Sequence, residues 1–351
     1  MPAIAKPAFR RNARLVTKSS SETIRIGYVP LVDAAPLLVA EALGYFEKAG
    51  LRVQLSRELG WGSVRDQIVY GQLDAAHAPG GMLFSILAGT HAPASPVATD
   101  IVLNLQGNGI TLSHRLWQQG VRDARSLRLM IRSDASRKPV FAVVSPFSSH
   151  LILLREWLRS VGISPDTDVR IVILPPPLVG EHMQEGFIDG FCAGEPWNSV
   201  VAMSGEGWII ETSASISPWH PEKVLIATED LLQRDEYPAL RDALVKACRW
   251  CDVVGNRSAL VDLLHEKLLS RVSLLALANS LVGPLHTGLN TRISENQFHC
   301  FFQRQANAAT RQRATWYFDG LVEAGSIRGS AEIRRACLNS FRELNPSSQV
   351  N

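Results

Sequence analysis

The sequence predicts an α/β protein with two similar lobes, a ligand cleft between them and a helical C-terminal region. An eight-residue pattern occurs twice, at 71–78 and 186–193, and predicts the two lobes. Strand-like and helix-like segments alternate through residues 24–228, which is typical of an α/β sheet protein. From Asp230 onward the pattern is helical almost throughout, and this predicts the C-terminal region.

Each copy of the repeat is typical of a helix end followed by a buried parallel strand. Gly71 and Gly186 can adopt the left-handed conformation that ends a helix. The small and apolar residues that follow suit a strand covered on both faces. Loops after such strands lie at the carboxyl edge of the sheet, where open α/β folds bind ligands. The pattern therefore predicts two lobes that each offer a loop to one cleft, and chance repetition is the alternative.

Hydrophobic periodicity and the glycine and proline positions place the remaining elements. Strands are predicted at 24–29, 51–55, 97–105, 139–144, 169–174, 208–211 and 224–228. Helices are predicted at 36–48, 61–70, 82–87, 149–161, 182–183, 197–204, 238–254, 258–269, 295–306, 309–324 and 331–344.

The predicted domain organisation has three parts. Residues 1–23 form a disordered leader, residues 24–112 with 225–351 form the first lobe, and residues 113–224 form the second lobe. The helical tail either braces the first lobe or contacts a partner.

The composition excludes several classes of protein. The chain is 46% hydrophobic and 20% charged, as ordinary globular proteins are. The formal net charge of +3 is small and dispersed, so we expect no direct nucleic-acid binding. No apolar run approaches the roughly 20 residues of a membrane helix. The five cysteines are odd in number and scattered, and the CxxC at 248–251 lacks a second pair, so we predict no disulfide framework, metal or cofactor.

The N-terminal residues bear on the compartment. Residues 1–23 are basic but lack the apolar stretch of about 7–15 residues that an export signal requires. No cysteine precedes Cys192 to accept a lipid anchor. The expected location is therefore cytoplasmic, with no membrane association.

Several stretches together resemble a known family. They are Ile-Gly-Tyr-Val-Pro and Ala-Ala-Pro-Leu within 26–37, the Gly-Tyr-Phe-Glu-Lys-Ala-Gly-Leu at 44–51, Trp61, Gln-Gly-Asn-Gly-Ile at 106–110, Gly-Glu-Pro-Trp at 194–197 and His-Pro-Glu at 220–222. In order and spacing they resemble the nitrate- and bicarbonate-binding proteins of the NrtA/CmpA group over about residues 24–260. The resemblance implies a two-lobed type II periplasmic-binding-protein-like fold with a central ligand cleft.

The resemblance also implies a function. The group's transport proteins are exported and lipid-anchored, and since neither signal is found, the chain looks closest to the cytoplasmic nitrate/nitrite sensors of the NasS type. Such a sensor is not an enzyme; it binds nitrate or nitrite between its lobes and regulates a NasT-like antiterminator that controls nitrate assimilation. The alternative is the substrate-binding subunit of an ABC transporter for nitrate, bicarbonate or a sulfonate. A related pyrimidine synthase is disfavoured because its cysteine-rich iron motif is missing.

The chemistry of a planar anion selects candidate residues in the first lobe and at the first connection. Helix N-termini supply unpaired N–H groups and a favourable dipole, and Gly80 at a predicted helix start lets the backbone approach the ligand. Trp61 either donates its indole N–H or forms a wall of the pocket. Gln106 can donate from its amide. Asn108 is either a ligand residue or a turn residue.

The remaining candidates lie in the second lobe and in the return connection. His150 falls where the resemblance implies a polar ligand residue, with a satisfied surface histidine as the alternative. Glu195 is expected to orient a donor or link the lobes, and Trp197 to pack or cover the cleft. The family's lysine aligns near Pro218 or Trp219, so His220 and Lys223 are the candidates for the cationic contact; for Lys223 the alternative is a solvated side chain.

Overall fold

The computed structural model describes residues 22–134, 137–289, 291–294 and 298–343. The predicted leader at 1–23 therefore lies outside the described residues, apart from Glu22 and Thr23. The strands are β1 Ile24–Tyr28, β2 Val53–Arg57, β3 Ala75–Pro79, β4 Val97–Ala98, β5 Val102–Gln106, β6 Asn108–Ser113, β7 Val140–Val143, β8 Arg170–Ile173, β9 Gly190–Gly194, β10 Gly207–Thr212, β11 Pro221–Thr228, β12 Leu285–Gly288, β13 Thr291–Ile293 and β14 His299–Cys300.

Helices cover most of the remaining described chain. They are α1 Ala35–Ala42, α2 Tyr45–Lys48, α3 Trp61–Val69, α4 Gly80–Leu87, α5 His114–Gln118, α6 Ala124–Ser133, α7 Ser149–Ser160, α8 Val179–Gln184, α9 Trp197–Ser204, α10 Ser213–Ile216, α11 Glu229–Leu232, α12 Tyr237–Asp252, α13 Arg257–Lys267, α14 Leu274–Leu281, α15 Arg311–Glu323 and α16 Ala331–Asn339, with 3-10 turns at Val32–Ala34, Pro176–Leu178 and Val254–Asn256. Among the described helices, none has the length and apolar character needed to span a bilayer.

Two sheets form the centres of the two lobes. The first has the order β14-β5-β11-β3-β1-β2, with β4 paired to β11, and the second has the order β10-β6-β9-β7-β8. A small hairpin, β12-β13, stands apart from both. The α/β, two-lobed fold predicted from the sequence is therefore confirmed.

The two copies of the repeat form the same local structure in the two sheets. Strand β3 pairs in parallel with β1, and β9 pairs in parallel with β7. Gly71 and Gly186, which precede these strands, have φ of 70° and 76°, the left-handed conformation that favours glycine. Asp74 Oδ2 accepts a hydrogen bond from the backbone N–H of Arg25 at 2.8 Å, and Asp189 Oδ2 accepts one from Val140 at 2.9 Å. In both lobes the aspartate thus fixes the start of the neighbouring strand.

Strand pairing places the connections between the sheets earlier than the predicted boundaries. Strand β6 pairs with β9 and β10 of the second sheet, so the chain leaves the first sheet at Gly107 and not after residue 112. Gly107 has a φ of 90°, which lets the chain turn between β5 and β6. Strand β11 already pairs with β5 at Pro221, so the return precedes the predicted residue 225. We call the segments 106–107 and 219–220 the hinge.

The C-terminal region is less helical than predicted. The predicted helix at 295–306 is wrong for its described part, where residues 298–306 form β14 and turns, and the hairpin β12-β13 was not predicted. The cause is tertiary: the buried carboxylate of Asp252 accepts hydrogen bonds from the backbone N–H groups of Phe301, Phe302 and Gln303 at 3.0, 2.8 and 2.8 Å. Because the Asp252 carboxylate already accepts hydrogen bonds from these backbone N–H groups, they do not require the hydrogen bonds of a helix.

Helix α15 contacts both lobes, so the C-terminal region braces the second lobe as well as the first. It packs against α4 of the first lobe and α7 of the second. A Cβ added at Gly320 would lie 2.7 Å from Cγ2 of Ile152 on α7, so the two helices approach closely. The Tyr317 hydroxyl donates to the carbonyl of Pro221 at 2.9 Å, beside the hinge.

We expect Asp252→Asn to destabilise the fold by about 2–4 kcal/mol, because an amide nitrogen would face backbone N–H donors that now share a charged acceptor. The loss should appear as a lower midpoint in urea-induced unfolding. Asp262→Asn is the matched control, since Asp262 is exposed on the neighbouring helix α13. Equal stability of the two variants would contradict the role assigned to Asp252.

Candidate functional site

The ends of several strands bring polar side chains together where the two lobes meet. The first lobe supplies Asp33, in the 3-10 turn Val32–Ala34 that follows β1, and His77 within β3. The second lobe supplies Asn108 at the start of β6 and His150 in the first turn of α7. All four side chains are buried. Together with Ser149, His220, Glu222 and Lys223 we call them the cleft cluster.

The ammonium group of Lys223 lies at the centre of this cluster. Lys223 is completely buried, and its Nζ lies 2.7 Å from Asp33 Oδ2 and also donates to Glu222 Oε1. The same Nζ lies 5.6 Å from the ring centroid of Trp61. Asp33 Oδ1 is bonded in turn to Nε2 of His77 at 2.9 Å. Lys223, for which a solvated side chain was the alternative, is therefore a buried cation held between two carboxylates.

Glu222 connects this charged core to the second lobe. Its Oε2 accepts hydrogen bonds from Asn108 Nδ2 at 2.6 Å and from the hydroxyl of Ser149. Nε2 of His150 lies 3.0 Å from Asn108 Oδ1 and 3.5 Å from Glu222 Oε1. A carboxylate from β11 of the first lobe thus contacts three residues of the second, which ties the lobes together in a closed arrangement.

Burial and mutual charge set the protonation of the cluster. Burial alone would raise the pKa of Asp33 and Glu222, but Lys223 holds both down, to about 2 for Glu222. Burial alone would lower the pKa of Lys223, but Asp33 and Glu222 raise it. Burial lowers the pKa of His150 to about 4. Near neutral pH the cluster therefore holds two carboxylates, one ammonium and the neutral rings of His150 and His220.

Several ring nitrogens at the cluster are buried and lack a hydrogen-bond partner. They are Nε1 of Trp61, Nδ1 of His77, Nδ1 of His150 and Nε2 of His220. Buried polar atoms are normally satisfied, so several unpartnered atoms on residues of one cluster and on Trp61 beside it indicate a place for a polar ligand. Within the described ranges, no group of three or more His, Cys, Asp or Glu side chains is arranged to hold a metal ion.

Two of the predicted site residues have other roles. Gln106 lies at the hinge, where its Oε1 accepts from the backbone N–H of Trp219 at 2.8 Å. It lines a cavity of about 850 Å³ beside His299, away from the cleft cluster. Gly80 begins α4, and a Cβ there would lie 2.4 Å from the Tyr317 ring, so its lack of a side chain makes room for Tyr317.

Glu195 and Trp197 lie between the lobes without joining the cluster. The carbonyl of Glu195 accepts from the backbone N–H of Val32, in the first lobe, at 2.9 Å. Its Oε2 accepts from Ser199 at 3.2 Å, and burial raises the pKa of its carboxyl to about 7. Trp197 packs against apolar residues of both main core clusters. Both contacts fit a linking role.

Four members of the cluster were not predicted: Asp33, His77, Ser149 and Glu222. A signal existed for Asp33, which lies in the loop after a predicted strand, and for His77, a polar residue in the small and apolar part of the repeat. Glu222 lies between the two predicted residues His220 and Lys223. Its signal is the neighbouring Lys223, because a buried ammonium requires a partner of opposite charge.

We expect the free protein to lose stability on mild acidification. Burial lowers the pKa of His150 to about 4 and that of His299 to about 3, from an ordinary value of 6.5. Between pH 6.5 and these lowered pKa values, each histidine binds a proton in the unfolded chain but not in the folded chain. As the pH decreases through this window, the free energy of unfolding therefore decreases by about 1.4 kcal/mol per pH unit for each histidine.

Glu195 opposes this effect, because burial raises its pKa to about 7 and the folded chain then binds a proton that the unfolded chain releases. Urea unfolding at a series of pH values from 6.5 to 4.5 measures the net slope. Glu195→Gln should make the loss on acidification steeper, and His299→Leu should make it shallower. A stability that is independent of pH in both variants would contradict these assignments.

Comparison with known proteins places the chain in a family. A sequence profile of the NMT1-like family matches residues 17–265. The bicarbonate transport ATP-binding protein CmpC of Synechococcus elongatus is 37% identical, over 73% of this chain and 40% of that protein. The nitrate import ATP-binding protein NrtC of Synechocystis is 34% identical, over 86% of this chain and 46% of that protein. The chain thus spans less than half the length of these two relatives.

A solved structure supports the same placement. The periplasmic nitrate-binding protein NrtA from Synechocystis superimposes with a TM-score of 0.83 at 25% identity, over 90% of this chain and 84% of that chain. This likeness matches the fold implied by the resemblance to the NrtA/CmpA group. The family profile covers well over half of the sequence, and the chain therefore belongs to the NMT1-like family, with the two-lobed fold of periplasmic binding proteins.

Proposed function

We propose that this chain binds a small planar anion, nitrate or hydrogencarbonate, in the cleft between its lobes. The observation that carries the proposal is the unpartnered indole N–H of buried Trp61 beside the buried ammonium of Lys223. The first turns of α4 and α7 enter the same cleft, and helix N-termini favour anions. CmpC is named for bicarbonate transport, and NrtC and NrtA for nitrate import and binding, which supports the same ligand class.

We further propose that the chain serves a transport system as its anion-binding component. This is the alternative raised from the sequence, and it is favoured because the similar proteins are named as transport proteins. The role of a NasS-type sensor with a NasT-like partner stays a prediction. The cytoplasmic location stays a prediction as well, because the residues that motivate it lie outside the described part of the chain.

Ligand entry requires the lobes to separate, since the side chains of the cleft cluster are buried. The hinge consists of the two connections between the sheets, about which such a movement can take place. Gln106, Gly107 and Trp219 have positive φ angles of 60°, 90° and 63°. Hinge closure around a ligand is a common movement in two-lobed binding proteins. We propose that anion binding stabilises the closed arrangement described above.

Titration calorimetry tests the ligand class directly. The purified chain should bind nitrate or hydrogencarbonate with a dissociation constant on the order of 1 μM, while sulfate and taurine give no heat. Trp61→Phe keeps the ring and removes the indole N–H, so the affinity should fall by roughly tenfold to a hundredfold.

Trp250→Phe, on α12 of the first lobe, is the matched control and should keep the wild-type affinity. Tight taurine binding in place of nitrate and hydrogencarbonate would keep the fold and overturn the ligand class. An unchanged affinity in Trp61→Phe would remove Trp61 from the site.

We also expect Gly81→Ala to weaken anion binding by hindering closure. A Cβ on Gly81 in α4 would lie 2.4 Å from the carbonyl oxygen of Phe147 in the other lobe. Relief of such a contact costs about 1–3 kcal/mol, which corresponds to roughly a fivefold to hundredfold loss of affinity. Gly62→Ala, with no heavy atom within 4 Å of the added Cβ, is the control measured by the same calorimetry. Equal affinities would show that closure does not bring these groups together.

A further inference from the structure

The hydrogen bonds of the cleft cluster fix where His150 carries its hydrogen. Asn108 Nδ2 lies 2.6 Å from Glu222 Oε2, and a carboxylate can only accept, so the amide group donates there. The carbonyl oxygen of Asn108 then faces Nε2 of His150 at 3.0 Å. Since that oxygen can only accept, Nε2 must bear the hydrogen. In the neutral ring Nδ1 is therefore an acceptor.

This acceptor is buried and has no hydrogen-bond partner among the described residues. The same logic applies to the other two rings of the cluster. Nε2 of His77 donates to Asp33, and Nδ1 of His220 faces the carbonyl of Pro221 at 3.0 Å, which leaves Nδ1 of His77 and Nε2 of His220 as unpartnered acceptors. Nitrate has only acceptor oxygens. Neutral histidines thus offer it no hydrogen bond.

The charge of the cluster raises the same difficulty. His150 is faced by Glu222 and Lys223 from β11, by Asp33 after β1 and by His220 at the hinge. Two carboxylates and one ammonium leave one negative charge when the histidines are neutral. A bound anion would add a second negative charge inside a buried site, where like charges interact more strongly than in water.

The other groups beside the cluster do not relieve this charge. Cys192 on β9 and Tyr317 on α15 interact with Glu222, and burial raises the pKa of both well above its usual range. Both stay neutral. Burial also lowers the pKa of His220. These groups therefore neither add positive charge nor supply the hydrogen that Nδ1 of His150 lacks.

We propose that the anion binds together with one hydrogen, which lies between Nδ1 of His150 and a ligand oxygen. An anion without a hydrogen, such as nitrate, then binds with uptake of one proton from solvent. Hydrogencarbonate brings its own hydroxyl hydrogen and needs none. This inference rests on the proposed function, and it deepens that function by naming what distinguishes the two anions at the site.

His150 is the ring that fits this role, for two reasons. Among the described residues of the cluster, Asp33, His77, Glu222 and Lys223 belong to the first lobe, while His150 is the titratable ring from the second. A protonated His150 therefore completes the contact from the opposite side of the cleft. Glu222 Oε1, 3.5 Å from Nε2, stabilises the positive ring. Proton binding and lobe closure are thereby coupled.

The test is calorimetric titration with nitrate and with hydrogencarbonate, each in two cationic buffers of different ionisation enthalpy, such as Tris and triethanolamine. The difference in observed heat between the buffers gives the number of protons taken up. For nitrate at pH 7–8.5 we expect about one proton and an approximately tenfold rise in the dissociation constant per pH unit. For hydrogencarbonate we expect no uptake and an almost constant dissociation constant.

His150→Gln removes the titrating nitrogen, so nitrate should bind weakly and without proton uptake. His182→Gln, at a partly buried histidine on α8 outside the cleft cluster, should keep the uptake of one proton. Nitrate binding to the unmodified chain without uptake would overturn the inference and leave the proposed function standing, and this measurement does not depend on the folding of any variant. Uptake that persists in His150→Gln would overturn the assignment to His150. Failure of every anion to bind from pH 6 to 8.5 would overturn the proposed function, and the inference with it.

Discussion

The burial of one ammonium group governs the arrangement of the cleft. A lysine that is removed from water needs close counter-charges, and Lys223 has them in Asp33 and Glu222. Each carboxylate then recruits a further partner, His77 for Asp33 and Asn108 for Glu222. Asn108 belongs to the other lobe, so the contacts of Glu222 extend from one lobe to the other. The closed position of the lobes is thus linked to the ionisation of a single side chain.

The two lobes share the backbone structure of the repeat but differ in the chemistry of their side chains. Both copies of the repeat end a helix with a glycine and anchor a strand with an aspartate. At the seventh position of the repeat, however, the first lobe has His77 and the second has Cys192. The first lobe and β11 supply the carboxylates and the ammonium, whereas the second lobe supplies neutral donors and acceptors. The asymmetry gives a ligand two different faces to contact.

The sequence predicted the parts of the fold that depend on local chemistry. The repeat could be read because glycine and aspartate have fixed roles in helix ends and turns. The connection at 106–109 was read as a simple break, because glycines flank Asn108 and obscure the strand that resumes there. The segment at 295–306 was assigned as a helix, because nothing local reveals that Asp252, more than 40 positions away, holds its backbone. Asp33 and Glu222 were not predicted for a related reason. Both pair with Lys223, and the burial of Lys223 is not visible in the local sequence.

Helix α15 has a consequence for the rate at which any ligand exchanges. It touches α4 and α7, and its Trp316 indole donates to Ser217 at 3.1 Å, beside the hinge. When the lobes separate, this helix must remain with one of them and slide past the other. The lifetime of the bound state is then determined by how often the contacts of α15 with one lobe break. Two variants with the same equilibrium affinity can therefore differ in the time for which the ligand stays bound. Substitutions on the faces of α15 that contact α4 and α7 would in this way alter the residence time without any contact with the ligand.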